Sequence, residues 1–182
     1  MKRSTLILLT LLLAAQSYAQ GNLALRITTE RQQKAQREIV QRATMRAQGN
    51  AEYHKPEVAE QTQAVVMNVK LQNMSGADLK GLLVKYIVFG KDKSGQTVKA
   101  AVQGEQTVDI KSLQAVTVET KPVEFKSRDR TFRNGEFTSL NTREGEQYYG
   151  IAVAAYLGTK QIATSFEPSG VEKQMAKLGL SF

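Results

Sequence analysis

The chain is 182 residues long, with 25 Lys and Arg against 17 Asp and Glu, one histidine and no cysteine. That length suits one domain with a tail. The missing thiols exclude cysteine nucleophiles, thiolate-bound zinc and attached haem, and they leave stability to core burial without disulfides.

The first element reads as a leader. Lys2 and Arg3 precede the apolar run TLILLTLLLAA (5–15), and Ser17 and Ala19 place small residues where a signal peptidase cuts. The run is short for a bilayer span and polar QSYAQGN (16–22) follows it, so cleavage after Ala19 is expected. Without residues 1–19 the chain has 163 residues and a formal charge of +6. An exported chain with no disulfide points to a bacterial envelope. The expected location is the periplasm, the outer-membrane surface or the extracellular space, with no transmembrane span left after the leader is removed.

Residues 20–57 read as a first strand followed by a basic polar lead-in. LALRIT (23–28) alternates, and residues 26–46 hold six basic side chains against two acidic ones. Ala35, Ile39, Ala43 and Ala47 recur every four residues, and Thr29 and Gln32 have capping-box spacing. A thin-striped helix, an extended irregular segment and a strand all remain open over residues 30–50.

Residues 58–168 read as strands. AVVMNVKLQ (64–72) sets Val65, Met67, Val69 and Leu71 on one face, and LLVKYIVFG (82–90) is apolar on both. Between them, Asn73-Met74-Ser75 fits a glycosylation acceptor, a calcium or sugar contact, or a turn. The bacterial context favours the turn, with Leu79 pinning the loop to the core. KDKSGQ (91–96) is a hairpin turn; TVKAAV, QTVDI and AVTVETKPVEF read as three strands, with Pro122 at an edge or bulge. SRDRTFRNGEFTSLNTREGEQ (127–147) reads as a long polar connection. YYGIAVAAYLG and KQIATSF then pair across Gly158-Thr159. Residues 169–182 hold a short helix: Ser169 and Glu172 at capping-box spacing, Val171, Met175 and Leu178 on one face, Gly179 to end it. The fold class is therefore all-β: an immunoglobulin-like antiparallel β-sandwich of about seven to eight strands, with a short C-terminal helix. An outer-membrane barrel is disfavoured, because its strands alternate and 82–89 does not.

Residues 65–95 have the form V-x-M-x-V-x-L-x-N-x-S, then Leu79, then L-x-V-x-Y-x-V-x-G-x-D-x-x-G. This resembles the immunoglobulin-like modules of small exported bacterial proteins, including the FxLYD-type group. Phe89-Gly90 departs from the Tyr-Asp expected there. EGEQYYGIAVAAYLGTKQIATSFEPSGVEK (144–173) resembles the closing hairpin and capping helix of small secreted sandwich proteins, which occur in Verrucomicrobia- and Planctomycetes-like bacteria, some alongside type IV pilus genes. The resemblance implies an exported sandwich without known chemistry, surface- or pilus-associated.

No catalytic, cofactor or metal site is expected. His54 is the single imidazole, in EYHKPE (52–57), and no nucleophile elbow, zinc-helix or phosphate-loop motif occurs. Sugar platforms need exposed rings; the chain lacks Trp, and strand alternation lets only one of Tyr148 and Tyr149 face outward, with Tyr156 on the Tyr148 side. Arg128, Arg130, Phe132 and Arg133, with Tyr149, form the candidate partner-binding set, and Phe137 and Arg143 extend it. The expected partner is a protein or an anionic glycan or envelope component, not nucleic acid. The expected function is a non-enzymatic surface or envelope interaction module, ahead of an anionic-glycan binder and, third, a hydrolase.

Overall fold

The structure, a computed structural model, describes residues 24–42, 44–48, 51–95, 97–134 and 138–182, of which 44–48, 51–55, 132–134 and 138–141 are described as backbone only. The leader expected over residues 1–19 lies outside the described residues. Two antiparallel layers make an all-β sandwich. In chain order the elements are β1 (Leu25–Gln41), β2 (Thr44–Gln48), β3 (Ala51–Lys55), β4 (Glu57–Asn73), β5 (Leu79–Asp92), β6 (Val98–Ile110), β7 (Ala115–Glu119), β8 (Val123–Asn134), β9 (Thr138–Leu157), β10 (Lys160–Glu167) and α1 (Gly170–Lys177).

β4 organises the first layer. It pairs with β1 along one edge, and along the other with β8 through residues 57–65 and with β7 through residues 68–72. Thr120 and Pro122 occupy the break between β7 and β8. There the Met67 N–H donates to Thr120 Oγ1 at 2.9 Å and the Thr120 N–H to the Met67 carbonyl at 2.9 Å. The second layer runs β6–β5–β9–β10. β9 belongs to both layers, pairing with β8 up to Gly145 and with β5 from Glu146 onward. Gly145 makes the crossing with φ +95, and a Cβ there would overlap the Lys126 carbonyl. Among the described residues the strand path does not close into a barrel.

Alternation on β4 and the second layer builds the core. Val65, Met67, Val69 and Leu71 face Leu82, Val84, Val88, Ile151 and Val153, all fully buried. β5 is apolar on both faces because its outer face is covered as well. There Ile87, Phe89 and Ala152 lie beneath Val171 and Met175 of α1, with Leu180 and Phe182 alongside. Burying a side chain such as Phe89 or Val171 stabilises by about 1.5–3 kcal/mol. Ser169 makes no side-chain cap, so the expected capping box is absent. At the other end, Gly179 at φ +64 and a 3.0 Å bond from the Leu180 N–H to the Met175 carbonyl close the helix. Leu178 is exposed and Leu180 takes its place in the packing.

The structure decides one open alternative and corrects one expectation. Residues 26–41 form neither a helix nor an irregular lead-in: β1 pairs with β4 from Leu25↔Asn73 to Ile39↔Ala59, and β2 and β3 prolong the hairpin. The four-residue spacing of Ala35 and Ile39 offers too little apolar area to hold a helix against a ready strand edge. The polar stretch 127–147 is likewise a hairpin, with β8 and β9 paired from Ser127↔Gly145 to Asn134↔Thr138. Together β1, β4, β8 and the start of β9 prolong the first layer into a polar, four-stranded arm. Two smaller differences follow from hydrogen bonding. TVKAAV and QTVDI join as one strand, β6, while AVTVETKPVEF divides at Pro122 into β7 and β8.

The Asn73 loop is a turn held from inside. Asn73 is fully buried. Its Nδ2 donates to the Ala77 carbonyl at 2.7 Å and to the Lys111 carbonyl at 3.2 Å, while Oδ1 accepts from the Ser75 N–H at 2.9 Å and hydroxyl at 2.7 Å. A side chain so enclosed is not an acceptor for a glycan. Leu79 is buried, as expected.

Candidate functional site

The proposed arginines stand on β8, where alternation splits the strand. Phe125 and Ser127 are buried toward the core, whereas Arg128 and Arg130 point to the outer face of the first layer. Register places Glu60, Arg128 and Glu144 in one row across β4, β8 and β9. Arg128 donates from Nε to Glu60 at 3.1 Å and also pairs with it through Nη2; Arg130 lies 3.6 Å from Glu144. Both cations are therefore answered by carboxylates on the neighbouring strands. Single-sequence reading found the arginines and missed their partners, because cross-strand neighbours depend on a register that only tertiary pairing sets.

Phe132 and Arg133 lie on the same strand, opposite Leu140 and Ser139; their side chains, with Phe137, are outside the described residues. His54 stands in β3 opposite Met45, again as backbone.

Tyr149 is on the far side of the molecule. It packs in the cluster beneath α1, and the Lys91 ammonium sits 5.7 Å from its ring centroid. The candidate set thus divides between the two outer faces of the sandwich, and the structure does not bring Tyr149 to Arg128 and Arg130. Tyr148 faces the core. A register irregularity between Gly90↔Tyr148 and Phe89↔Gly150 then switches the alternation, so Tyr156 shares the outer face with Ala152 and not the side of Tyr148. Its ring carries Lys85 at 5.2 Å and its hydroxyl bonds Gln161 at 2.9 Å.

Two polar groupings were not legible in sequence. At one seam between the layers, Thr29 donates to Glu167, and Arg31 lies 5.0 Å over the Tyr148 ring, which meets Phe125 edge-on at 6.4 Å. The Tyr148 hydroxyl is buried without a hydrogen-bond partner, and burial, with Glu167 nearby, pushes its pKa far above the ordinary tyrosine value. At the other seam, Lys93 of the β5–β6 turn reaches Asp129 at 3.1 Å. Both groupings fasten one layer to the other.

On the outer face of the arm, a concavity of about 370 Å³ is lined by Glu60, Thr62, Lys126, Arg128 and Glu144 among others. It has hydrogen-bonding groups of both charges and no aromatic wall. Among the described residues no three His, Asp or Glu side chains converge as a metal site, and no helix is long and apolar enough to cross a membrane.

No protein-family model matches this chain, and no curated protein matches it. Among solved structures it is similar to the "X-ray structure of Northeast Structural Genomics Consortium target SoR45", at 12% identity over 65% of this chain and 84% of that one, with a TM-score of 0.25. A similarity of that size carries neither fold nor function across.

Proposed function

We propose that the chain is a non-enzymatic, exported interaction module of the bacterial envelope or cell surface. The observation that supports this reading is the polar arm. Residues 34–41 of β1 are in strand conformation yet exposed on both faces, so their side chains contribute surface rather than core. A rigid sandwich holding out a ribbon of alternating polar side chains suits contact with a partner. The leader-like residues 1–19 support export, and the FxLYD-type resemblance supports adhesion or type IV pilus association within that class.

An anionic-glycan module is the second reading, favoured by the concavity beside Arg128 and Lys126. It ranks lower on physical grounds. Glu60 and Glu144 already neutralise the arginines, and no ring lines the hollow on which a sugar face would stack. Co-sedimentation of the protein with isolated Gram-negative envelope fragments tests both. Retention abolished by prior proteolysis of the fragments fits a protein partner. Retention that survives proteolysis and is displaced by heparin replaces it with the glycan reading. No retention, or hydrolysis of a glycan or peptide substrate by the pure protein, overturns the proposal.

A further inference from the structure

β1 is the end strand of its layer: β4 satisfies one edge of its backbone, and the other edge has no paired strand among the described residues. Near its start the neighbouring β10 lies alongside, tied by Thr29 and Glu167. From Lys34 onward every residue of β1 is exposed. Ile39 and Val40 are 53% and 50% exposed, unusual for large apolar side chains on an unpaired edge. None of the ion pairs between described residues uses a charge of β1, and Glu38 stands directly opposite another carboxylate, Glu60.

The charges have an order of their own. On the outer face of β1, Glu30, Lys34 and Glu38 alternate in sign every four residues, with Arg26 before them. We propose that this edge pairs with the same edge of a second copy, antiparallel, with Gln36 on the two-fold axis. Two physical requirements select that register. An isologous antiparallel pair continues one sheet, so facing residues must share a face and the axis must pass through a residue, not between two. Charge then discriminates among residues, together with the cover of β10. An axis at Gln32 would also pair opposite charges, Glu30 with Lys34 and Arg26 with Glu38, but it needs the start of β1, which β10 lies against. An axis at Lys34 sets Lys34 on Lys34, Glu30 on Glu38 and Arg31 on Arg37, like on like throughout. An axis at Arg37 sets Arg37 on itself, and an axis at Ala35 pairs no opposite charges. With Gln36 on the axis, Lys34 of each copy faces Glu38 of the other, Ile39 faces Gln33, and Arg37 faces Ala35. Over residues 32–40 each copy carries Lys34, Arg37 and Glu38, a net charge of only +1, so mutual repulsion is small.

The pairing is self-limiting. The irregularity between Ile39 and Gln41 ends the regular edge on one side and β10 ends it on the other. A two-fold contact also uses each edge once, giving dimers and not fibres. This inference concerns a second copy of the chain and stands whether or not an envelope partner is found.

Charge exchange tests it. Sedimentation velocity of the protein should show a monomer–dimer equilibrium that weakens with added salt. Lys34→Glu and Glu38→Lys should each raise the dimer Kd by about tenfold or more, since each replaces two attractive pairs with two repulsive ones. Mixing the two variants, or combining both changes in one chain, restores opposite charges and should restore association. Because the chain has no cysteine, Gln36→Cys under mild oxidation should form a cross-linked dimer, while Gln32→Cys should not. All four substituted positions are exposed, and far-UV circular dichroism checks that every variant is folded. A monomer at all concentrations, or a dimer indifferent to both charge reversals, overturns the proposal; cross-linking at Gln32 and not Gln36 overturns the register.

Discussion

The same strands lie in two different environments, and the contrast between them explains most of the molecule. In the sandwich, β4 buries alternate residues completely from Val65 to Leu71. In the arm, the same strand runs Glu60, Gln61, Thr62, Gln63, all only partly covered, against the exposed half of β1. Backbone pairing continues unbroken from one into the other, with a register shift on β1 only between Ile39 and Gln41. The sandwich is held by apolar burial on top of its ladder, whereas the arm, with little more than Val58 and Ala59 buried among its described residues, is held mainly by the ladder with exposed ion pairs. Strand geometry alone therefore does not report stability; what lies on the faces decides it.

Large-to-small substitution should open the widest gap between the two regions. Phe125 is fully buried on β8, edge-on to Tyr148, and packed so closely on Gly90 that a Cβ there would lie 2.6 Å from its ring. Phe125→Ala should lower the unfolding free energy by about 3–5 kcal/mol, read from urea denaturation. A cost below about 1 kcal/mol would mean that the core end of β8 behaves like the arm.

Polar contacts inside the body should come next. Asn73→Ala strands the Ala77 and Lys111 carbonyls and frees the 73–77 loop, for an expected loss of about 1–3 kcal/mol. Tyr148→Phe should act in the opposite direction. Its hydroxyl is buried and unpartnered, so deleting it should leave stability unchanged or raise it by about 1 kcal/mol. The pH dependence carries a sign. Because the folded pKa is raised, folded and unfolded tyrosine are both protonated below about pH 10, and the group adds no slope there. Above that, the unfolded phenol ionises first and stability falls as pH rises. Tyr148→Phe should flatten this alkaline loss; an identical profile in the variant would place the hydroxyl in contact with solvent.

The division between body and arm also marks what could be read from the sequence. Where burial imposes a pattern, the reading succeeded: the alternation from Val65 to Leu71, the doubly apolar β5, the turn at Asn73 and the closing hairpin at Gly158. In the arm the buried apolar residues among those described are Val58 and Ala59, adjacent and too few to set a period, so residues such as Gln33, Lys34, Arg128 and Arg130 carry no alternation that separates strand from loop. The surroundings of the candidate residues were hidden for the same reason. Arg128 and Arg130 look like free cations until β4 and β9 bring Glu60 and Glu144 beside them, and one bulge at Tyr149 is enough to move Tyr156 to the other face.

The smallest effect is expected on the arm itself. Arg128 and Glu60 pair with side chains 47% and 45% exposed, so solvent screens most of their attraction and Arg128→Ala should cost about 0.5 kcal/mol or less. The cost should not vanish, because Arg128 also separates carboxylates. Glu60 faces Glu38 on one side, and Glu144 lies across β8 on the other. Without the guanidinium these three repel one another, and added salt should recover most of the small loss by screening that repulsion. A loss of about 2 kcal/mol or more, insensitive to salt, would show that the arm unfolds as one unit with the sandwich and draws its stability from the core rather than from its own surface.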